Sequence, residues 1–357
     1  MQPIFRIYAG SQEITAAIRD RLIELVVTDE AGIQSDELKL TLDDRRREDG
    51  AIAELPRIGT VLTVSLGYAE TRLVSMGRFI VDEVEIRSPP ATLTVSAKAA
   101  DMVGPFRSPK TRSWDATTLG QLVEVIAAEH RYQAKTDPEL GAIAIPHLDQ
   151  TAESDMALLT RLAAKHDAVA KPVAGFLVVA KQGAIKTITG QVMPKINLRS
   201  SDLAEWRYRH SARKPVGSGS TSDPDTQQPP TTATGGTKAY WWDFEKGERR
   251  EVTTGSPPFE EIRYVHATEA EAKAAAATRK NTGERGQGEL SFSLPGDPRL
   301  AAEGRVSLSL RPGIPTDWRI KRVEHRLGSQ GYTTQVECER LTALPAPVTD
   351  AATETNK

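Results

Sequence analysis

The chain has 357 residues, 39% of them hydrophobic and 26% charged, which is too long for one core of ordinary size and sets an expectation of two or three domains. Its 46 basic and 48 acidic side chains leave a net charge of −2, which excludes wholesale nucleic-acid binding through a basic face. The single cysteine, Cys338, excludes an intramolecular disulfide and a thiolate metal cluster.

The start, MQPIFRIYAG, lacks the apolar core of a signal peptide, and the longest aliphatic runs, such as residues 176–180, are strand-sized. A soluble protein made in the reducing cytoplasm, without membrane insertion, is expected. In the first hundred residues, turn-punctuated β-branched segments predict strands at 22–27, 37–42, 59–66, 78–86 and 91–97. Leu38, Leu40 and Leu42 share a face, and Pro89-Pro90 turns the chain before the last strand. This predicts a first β-barrel over residues 1–104. Leu119, Leu122, Val123, Ile126 and Ala127 then mark one face of a helix, and Thr118 with Gln121 has capping-box spacing. A second helix at about 156–166 turns Leu158, Leu159 and Leu162 to a core, with Ser154 or Asp155 at its start. A buried strand at 175–181 and another near 185–189 complete a small α/β domain over 105–200.

Residues 214–238 hold no large apolar side chain except Val216, so burial cannot offset their ordering entropy and a flexible loop is expected. The stretch YWWDFEKGERREV (240–252) is strand-like. An alanine-rich helix follows at about 268–281, with a Thr268–Glu271 capping box and Gly283 as its stop. Strands are expected at 289–294, 304–310, 318–326 and 332–340. Residues 201–344 thus form a second β-barrel carrying the loop and the inserted helix, and 345–357 a disordered tail. The fold class is mainly β with an α+β insert, two β-barrels flanking a small α/β domain.

The two β regions resemble each other. RFIVDEVEI (78–86) aligns with DWRIKRVEH (317–325): Phe79, Val81, Val84 and Glu85 fall on Trp318, Ile320, Val323 and Glu324 without a gap. Val95 and Ala97 then fall on Val336 and Cys338, with a two-residue difference in the connecting turn. In both copies the alternation breaks at the same point, as a β-bulge would produce. Three copies of a chain with two similar barrels would present six near-equivalent modules, alternate ones chemically different.

Polar residues concentrate in HLDQTAESDMALLTRLAAKHD (147–167). His147, Asp149, Glu153, Asp155, His166 and Asp167 could in principle ligate zinc or calcium, but a metal helix needs ligands at i and i+4. Asp155 and His166 lie about 16 Å apart along a straight helix. Glu153, Ser154 and Asp155 instead suit the positive helix N-terminus, and Lys165 with His166 its C-terminus. No Gly-x-Ser-x-Gly elbow or Walker loop is present, and Cys338 sits in an alternating strand as a small core residue would. A glycosidase would need two carboxylates across a cleft, which counting does not exclude. The run at 43–49, Arg45, Arg46 and Arg47 flanked by acids, reads as a solvated loop or a contact between protomers. Trp241-Trp242 reads as packing or interface rather than a sugar platform, and Trp114 as a core or turn anchor. The segment 294–299, LPGDPR, is a stiff turn delivering the next strand. No catalytic, cofactor-binding or metal residue is assigned, and the chain is expected not to be an enzyme.

The runs SWDATTLGQLVEVIAAEH (113–130), DQTAESDMALLTRLAAKHDA (149–168) and LPGDPRL…GYTTQVECE (294–339) resemble the late control gene D family, the tail-hub proteins of contractile-tailed phages, prophages and phage-tail-like particles. The resemblance spans roughly residues 5–340. It implies a homotrimeric baseplate hub whose tube-protein-like β-barrels adapt a sixfold tail tube to a threefold spike. The implied partners are a second and third copy of the chain, the tail tube ring, the central spike, and the tape-measure and wedge proteins. A type VI secretion spike hub is the nearest alternative and would carry a long C-terminal extension; a cell-wall-binding or hydrolytic tail protein is the enzymatic one.

Overall fold

A computed structural model describes residues 2–32, 35–46, 54–99, 105–173, 176–182, 195–210 and 235–341. The first β region contains β1 (Pro3–Ala9), β2 (Gln12–Glu13), α1 (Thr15–Arg19), β3 (Leu22–Glu30), β4 (Glu37–Asp43), β5 (Val61–Tyr68), β6 (Val74–Arg87) and β7 (Thr92–Ala99). The middle region holds β8 (Pro109–Thr118), α2 (Leu119–Glu129), β9 (Gln133–Thr136), α3 (Pro138–Gly141), β10 (Ala144–Ser154), α4 (Asp155–Lys165), β11 (Ala168–Val173) and β12 (Phe176–Lys181). Then come β13 (Lys195–Arg199), β14 (Glu205–His210), β15 (Gly236–Asp243), β16 (Glu248–Gly255), β17 (Phe259–His266) and α5 (Glu269–Arg285). The last β region is β18 (Gly288–Pro295), β19 (Arg305–Ser309), β20 (Asp317–Gly328) and β21 (Gly331–Arg340).

The fold is mainly β with few helices. Both β regions join one 13-stranded sheet, an open path from β14 through β18, β21, β20, β3, β4, β7, β6, β5 and β1 to β2, with β13 and β19 branching from β20. The join is antiparallel pairing of β3 with β20, from Glu30 opposite Arg322 to Glu24 opposite Gly328. Period-two alternation turns Leu38, Leu40, Leu62, Val64, Phe79, Val81, Leu93 and Val95 into one core, and Leu327 and Tyr332 of the distant β20–β21 hairpin enter it. A second core is built on Phe292, Val306, Trp318, Ile320, Val323 and Val336.

The bulge expected in both copies is there. On β6 the register skips Asp82, between Val81 opposite Ala97 and Glu83 opposite Ser96. On β20 it skips Lys321, between Ile320 opposite Cys338 and Arg322 opposite Glu337. The incoming chain matches as well. Gly59 N donates to Val81 O and Val81 N to Thr60 O; Glu303 N donates to Ile320 O and Ile320 N to Gly304 O. Gly59 and Glu303 are both left-handed, at φ 87° and 66°, so one backbone path is followed twice.

In the middle region, α2 and α4 bury Leu119, Leu122, Val123, Ile126, Leu158, Leu159 and Leu162 against Leu177 and Val179. The Thr118 capping box forms, with Gln121 N donating to Thr118 Oγ1 at 3.3 Å and Thr118 N to Gln121 Oε1 at 3.1 Å. Ser154 caps α4 through Ala157 N at 3.2 Å. Three expectations change. Residues 240–252 are a hairpin, β15 and β16 around a turn with Gly247 at φ 66°. The helix after it does not stop at Gly283 but runs to Arg285, because the Arg285 side chain is buried against Asp167 and lengthens the helix by a contact that capping signals do not encode. Of the expected loop 214–238, residues 235–238 belong to the start of the hairpin, while 214–234, the strand near 185–189 and the tail 345–357 lie outside the described residues.

Candidate functional site

The polar residues of 147–167 do not converge. His147 is exposed on β10 between Asp115 (2.5 Å) and Asp149 (3.3 Å), and these acids raise its pKa through their hydrogen bonds and charge. Glu153 pairs with Arg161 at 2.7 Å. Asp167 binds the buried Arg285, Nη1 donating to Oδ2 at 3.0 Å. His166 ends α4, where burial and the Lys165 charge lower its pKa.

Of the candidate ligands, Asp155 alone is fully buried, and it gathers residues that the sequence did not single out. Lys110 Nζ donates to its Oδ2 at 2.6 Å, Arg112 Nη2 to its Oδ1 at 2.8 Å, His130 Nε2 to Oδ2 at 2.7 Å and Gln150 Nε2 to Oδ1 at 2.8 Å. Burial by itself would raise the carboxyl pKa, but the donors, His130 first among them, outweigh it and hold the value at about 2. Glu129 completes the group through Lys110 (2.7 Å) and Arg112 (2.6 Å). One ligand atom from each of Glu129, His130 and Asp155 lies within 4.8 Å of the others, a spacing a metal could use. Yet two cations of the chain already occupy the carboxylates, and a divalent ion placed there would meet both. The arrangement is an ion-pair knot tying β8, α2, β10 and α4 together. The alternation Lys110, Arg112, Trp114 on one face of β8 is its only trace in the sequence; Trp114 lies under the Arg112 guanidinium at 4.3 Å.

A shallow groove of about 630 Å³ runs past Arg107, Asp149, Glu153 and Arg161. It brings two carboxylates together, but Glu153 is held by Arg161, and hydrogen bonds from Ser113 and His147 lower the pKa of Asp149. A glycosidase acid would need the opposite shift. Among the described residues the most raised carboxyl is Asp29, pushed to about 7 by burial and then by the charge of Asp36, against the pull of Lys171. It lies at the β3–β20 join, where its Oδ2 accepts from Ala302 N at 2.8 Å. A further buried network at the last β region pairs Arg319 with Glu303 (2.6 Å) and Glu339. Cys338 is buried in the core, as its alternation suggested.

What the molecule does present outward is sheet edge and apolar side chain. β14 ends the large sheet, and Trp206 on it is 39% exposed. The half of β6 after its bulge pairs with β7 alone among the described strands, and Ile86 there is 54% exposed. On the β15–β17 hairpin sheet, Trp242, Phe244 and Tyr264 are exposed, while Trp241 packs against α5. Edges and apolar patches of this kind mark a protein built to be covered by others.

A duplicated β scaffold with open edges among the described strands is the architecture of a structural assembly protein. The family described as phage tail baseplate hub (GPD) matches residues 34–331, and the chain belongs to it. It is 32% identical over 366 residues to the probable baseplate hub protein of Escherichia phage 186, covering 95% of this chain and 93% of that one. To the probable baseplate hub protein of Escherichia phage P2 it is 33% identical over 365 residues, with the same coverage. Its fold is similar to a 43 kDa tail protein of prophage MuSo2 from Shewanella oneidensis, with TM-score 0.66, 15% identity, and 95% and 98% of the two chains covered. It is also similar in fold to a type VI secretion component of E. coli, with TM-score 0.53, 10% identity, and 91% and 76% covered.

Proposed function

We propose that three copies of this chain form a ring-shaped hub in the phage baseplate, adapting the sixfold tail tube to the threefold central spike. The observation that carries this reading is the duplicated backbone path: hairpins β6–β7 and β20–β21 share their bulge, register and left-handed entry residue. A threefold ring of such chains offers six near-equivalent modules to one neighbour and three chemically distinct pairs to the other. Residues 1–104 and 201–344 are the two tube-protein-like modules in this reading, with barrel closure supplied by neighbours, and 105–200 is the α/β domain between them. The tube ring, spike, tape-measure and wedge proteins are the partners, and assembly takes place in the bacterial cytoplasm before the hub enters the tail. Likeness to the type VI component is of fold alone, whereas the relatives above 30% identity are phage proteins.

Light scattering of the purified chain, alone and with its spike protein, tests the reading. A trimer mass and a three-to-three complex are expected. A dimer or tetramer would refute the ring, and clearing of peptidoglycan by the purified chain, lost on replacing one carboxylate, would refute the structural assignment.

A further inference from the structure

The strand registers carry the duplication one strand further than the hairpins. Leu38 and Leu40 on β4 lie opposite Ala97 and Val95; Leu290 and Phe292 on β18 lie opposite the equivalent Cys338 and Val336. On the far side of β4, Leu25 and Val27 of β3 face Leu40 and Leu38. On the far side of β18, Trp206 and Tyr208 of β14 face Phe292 and Leu290. Residues Glu24–Asp29 therefore occupy in the first module the place that Glu205–His210 occupy in the second.

Within the chain, β3 reaches across and pairs with the half of β20 that follows its bulge. The equivalent half of β6, Glu83–Arg87, has no strand on the side away from β7 among the described residues. The outer edge of β14, equivalent to the edge that β3 uses, is the end of the sheet. Each module thus has one edge that donates and one that accepts. Among the described strands of the monomer, one donor and one acceptor are joined and one of each is left over.

The left-over edges repeat the charged triad of the joined ones, with an arginine, Arg207, where the join has Val26. At the internal join, Arg326 is held between Glu24 across the seam (2.6 Å) and Glu324 along its own strand (2.8 Å). The equivalent positions are Arg87, Glu205 and Glu85, and Arg87 already holds Glu85 at 2.9 Å. Carrying the internal register over sets Arg209 opposite Glu85 and Arg207 opposite Arg87 on the outward face, with Glu205 diagonal to Arg87 as Glu24 is to Arg326, and Tyr208 opposite the exposed Ile86 on the inward face.

We propose that β14 of one copy of this chain adds antiparallel to the post-bulge half of β6 of a second copy, with Glu205 of the first pairing with Arg87 of the second. The contact is head-to-tail, so it propagates from copy to copy and closes into a ring when the rotation allows. The inference rests on the ring-hub reading and gives it a residue-level seam. Backbone hydrogen bonds supply the attraction, as in strand addition generally, and the charges and the Tyr208–Ile86 contact fix the register.

The test uses the full chain with two kinds of variant, at exposed positions except for the half-buried Tyr208, each checked for an unchanged thermal unfolding curve. Glu205→Arg should weaken trimer association about tenfold, since it removes the acid beside Arg207 and sets a second cation against Arg87 at all three seams, and the double reversal with Arg87→Glu should restore it. Ile86→Cys with Tyr208→Cys should give disulfide-linked trimers under mild oxidation; Ile86→Cys with Arg209→Cys, whose side chains point to opposite faces, should not. Trimers without the in-register crosslink, or without rescue by the double reversal, overturn this seam while leaving the hub reading intact. A chain that stays monomeric across the whole concentration series overturns both.

Discussion

Replacing Asp155 with asparagine keeps the shape of the buried side chain and removes the charge on which Lys110, Arg112, His130 and Gln150 converge. Two estimates of the cost agree in order. The carboxyl value falls from 3.8 to about 2, which by linkage corresponds to roughly 2 to 3 kcal/mol. Breaking a buried ion pair while leaving its partners in place costs about 3 to 5 kcal/mol. We therefore expect Asp155→Asn to lose about 3 kcal/mol at pH 7, read from urea unfolding followed by circular dichroism. The sign follows from a depressed carboxylate: its contribution is present above 3.8 and lost as pH falls through about 2. The gap between wild type and variant should close over that interval. A variant within about 0.5 kcal/mol of wild type at pH 7 would refute the reasoning, because surface substitutions already fall in that range. So would zinc that stabilises the wild type and not the variant, since the cluster would then be a metal site.

Asp29 should show the opposite dependence. Its folded value, about 7, lies above 3.8, so its contribution is present below 3.8 and lost as pH rises through 7. Asp29→Asn should gain on wild type between pH 4 and 8, by up to roughly 4 kcal/mol; parallel urea midpoints across that range would contradict this. Gly296→Ala places a Cβ 2.1 Å from the Tyr332 ring and should cost about 1 to 3 kcal/mol by overpacking, so a variant as stable as wild type in thermal melts would show the ring free to move. Cys338 is buried, and burial pushes its thiol up, so a maleimide should label it only at the rate of unfolding; rapid labelling of the folded chain would place the residue outside the core.

The duplication was legible in the sequence because a bulge leaves a one-residue mark on a period-two pattern, at Asp82 and again at Lys321. The helix caps at Thr118 and Ser154 were legible for the same reason: their partners lie three residues away. The β3–β20 join was not, since it pairs segments about three hundred residues apart and each is a serviceable strand by itself. Asp155 looked like a helix-terminal acid, and it is one, but its burial depends on β8 and α2 folding over it. Gly296 looked like a turn glycine; what excludes a side chain there is the Tyr332 ring. In each case the missing information was the identity of a distant neighbour.

The two modules differ where a symmetry adaptor would need them to. Arg319, buried between Glu303 and Glu339, corresponds by register to Ile80, Glu303 to Gly59 and Glu339 to Lys98. The left-handed backbone that glycine adopts without strain at 59 is held at 303 by a glutamate whose carboxylate accepts from Arg319 on one side and from Gly32 N of β3's turn on the other. Glu303 thus braces the internal join from beneath, in the module that receives β3. Among the described residues the module with Gly59 has no such brace, and it is the one whose acceptor edge is unpaired. A join made once, during folding, can be locked by a buried ion pair; one made between copies has to remain soluble until its partner arrives. In the proposed ring, the charge on Arg87, Glu85 and Glu205 would serve that second requirement, keeping each edge hydrated in the monomer.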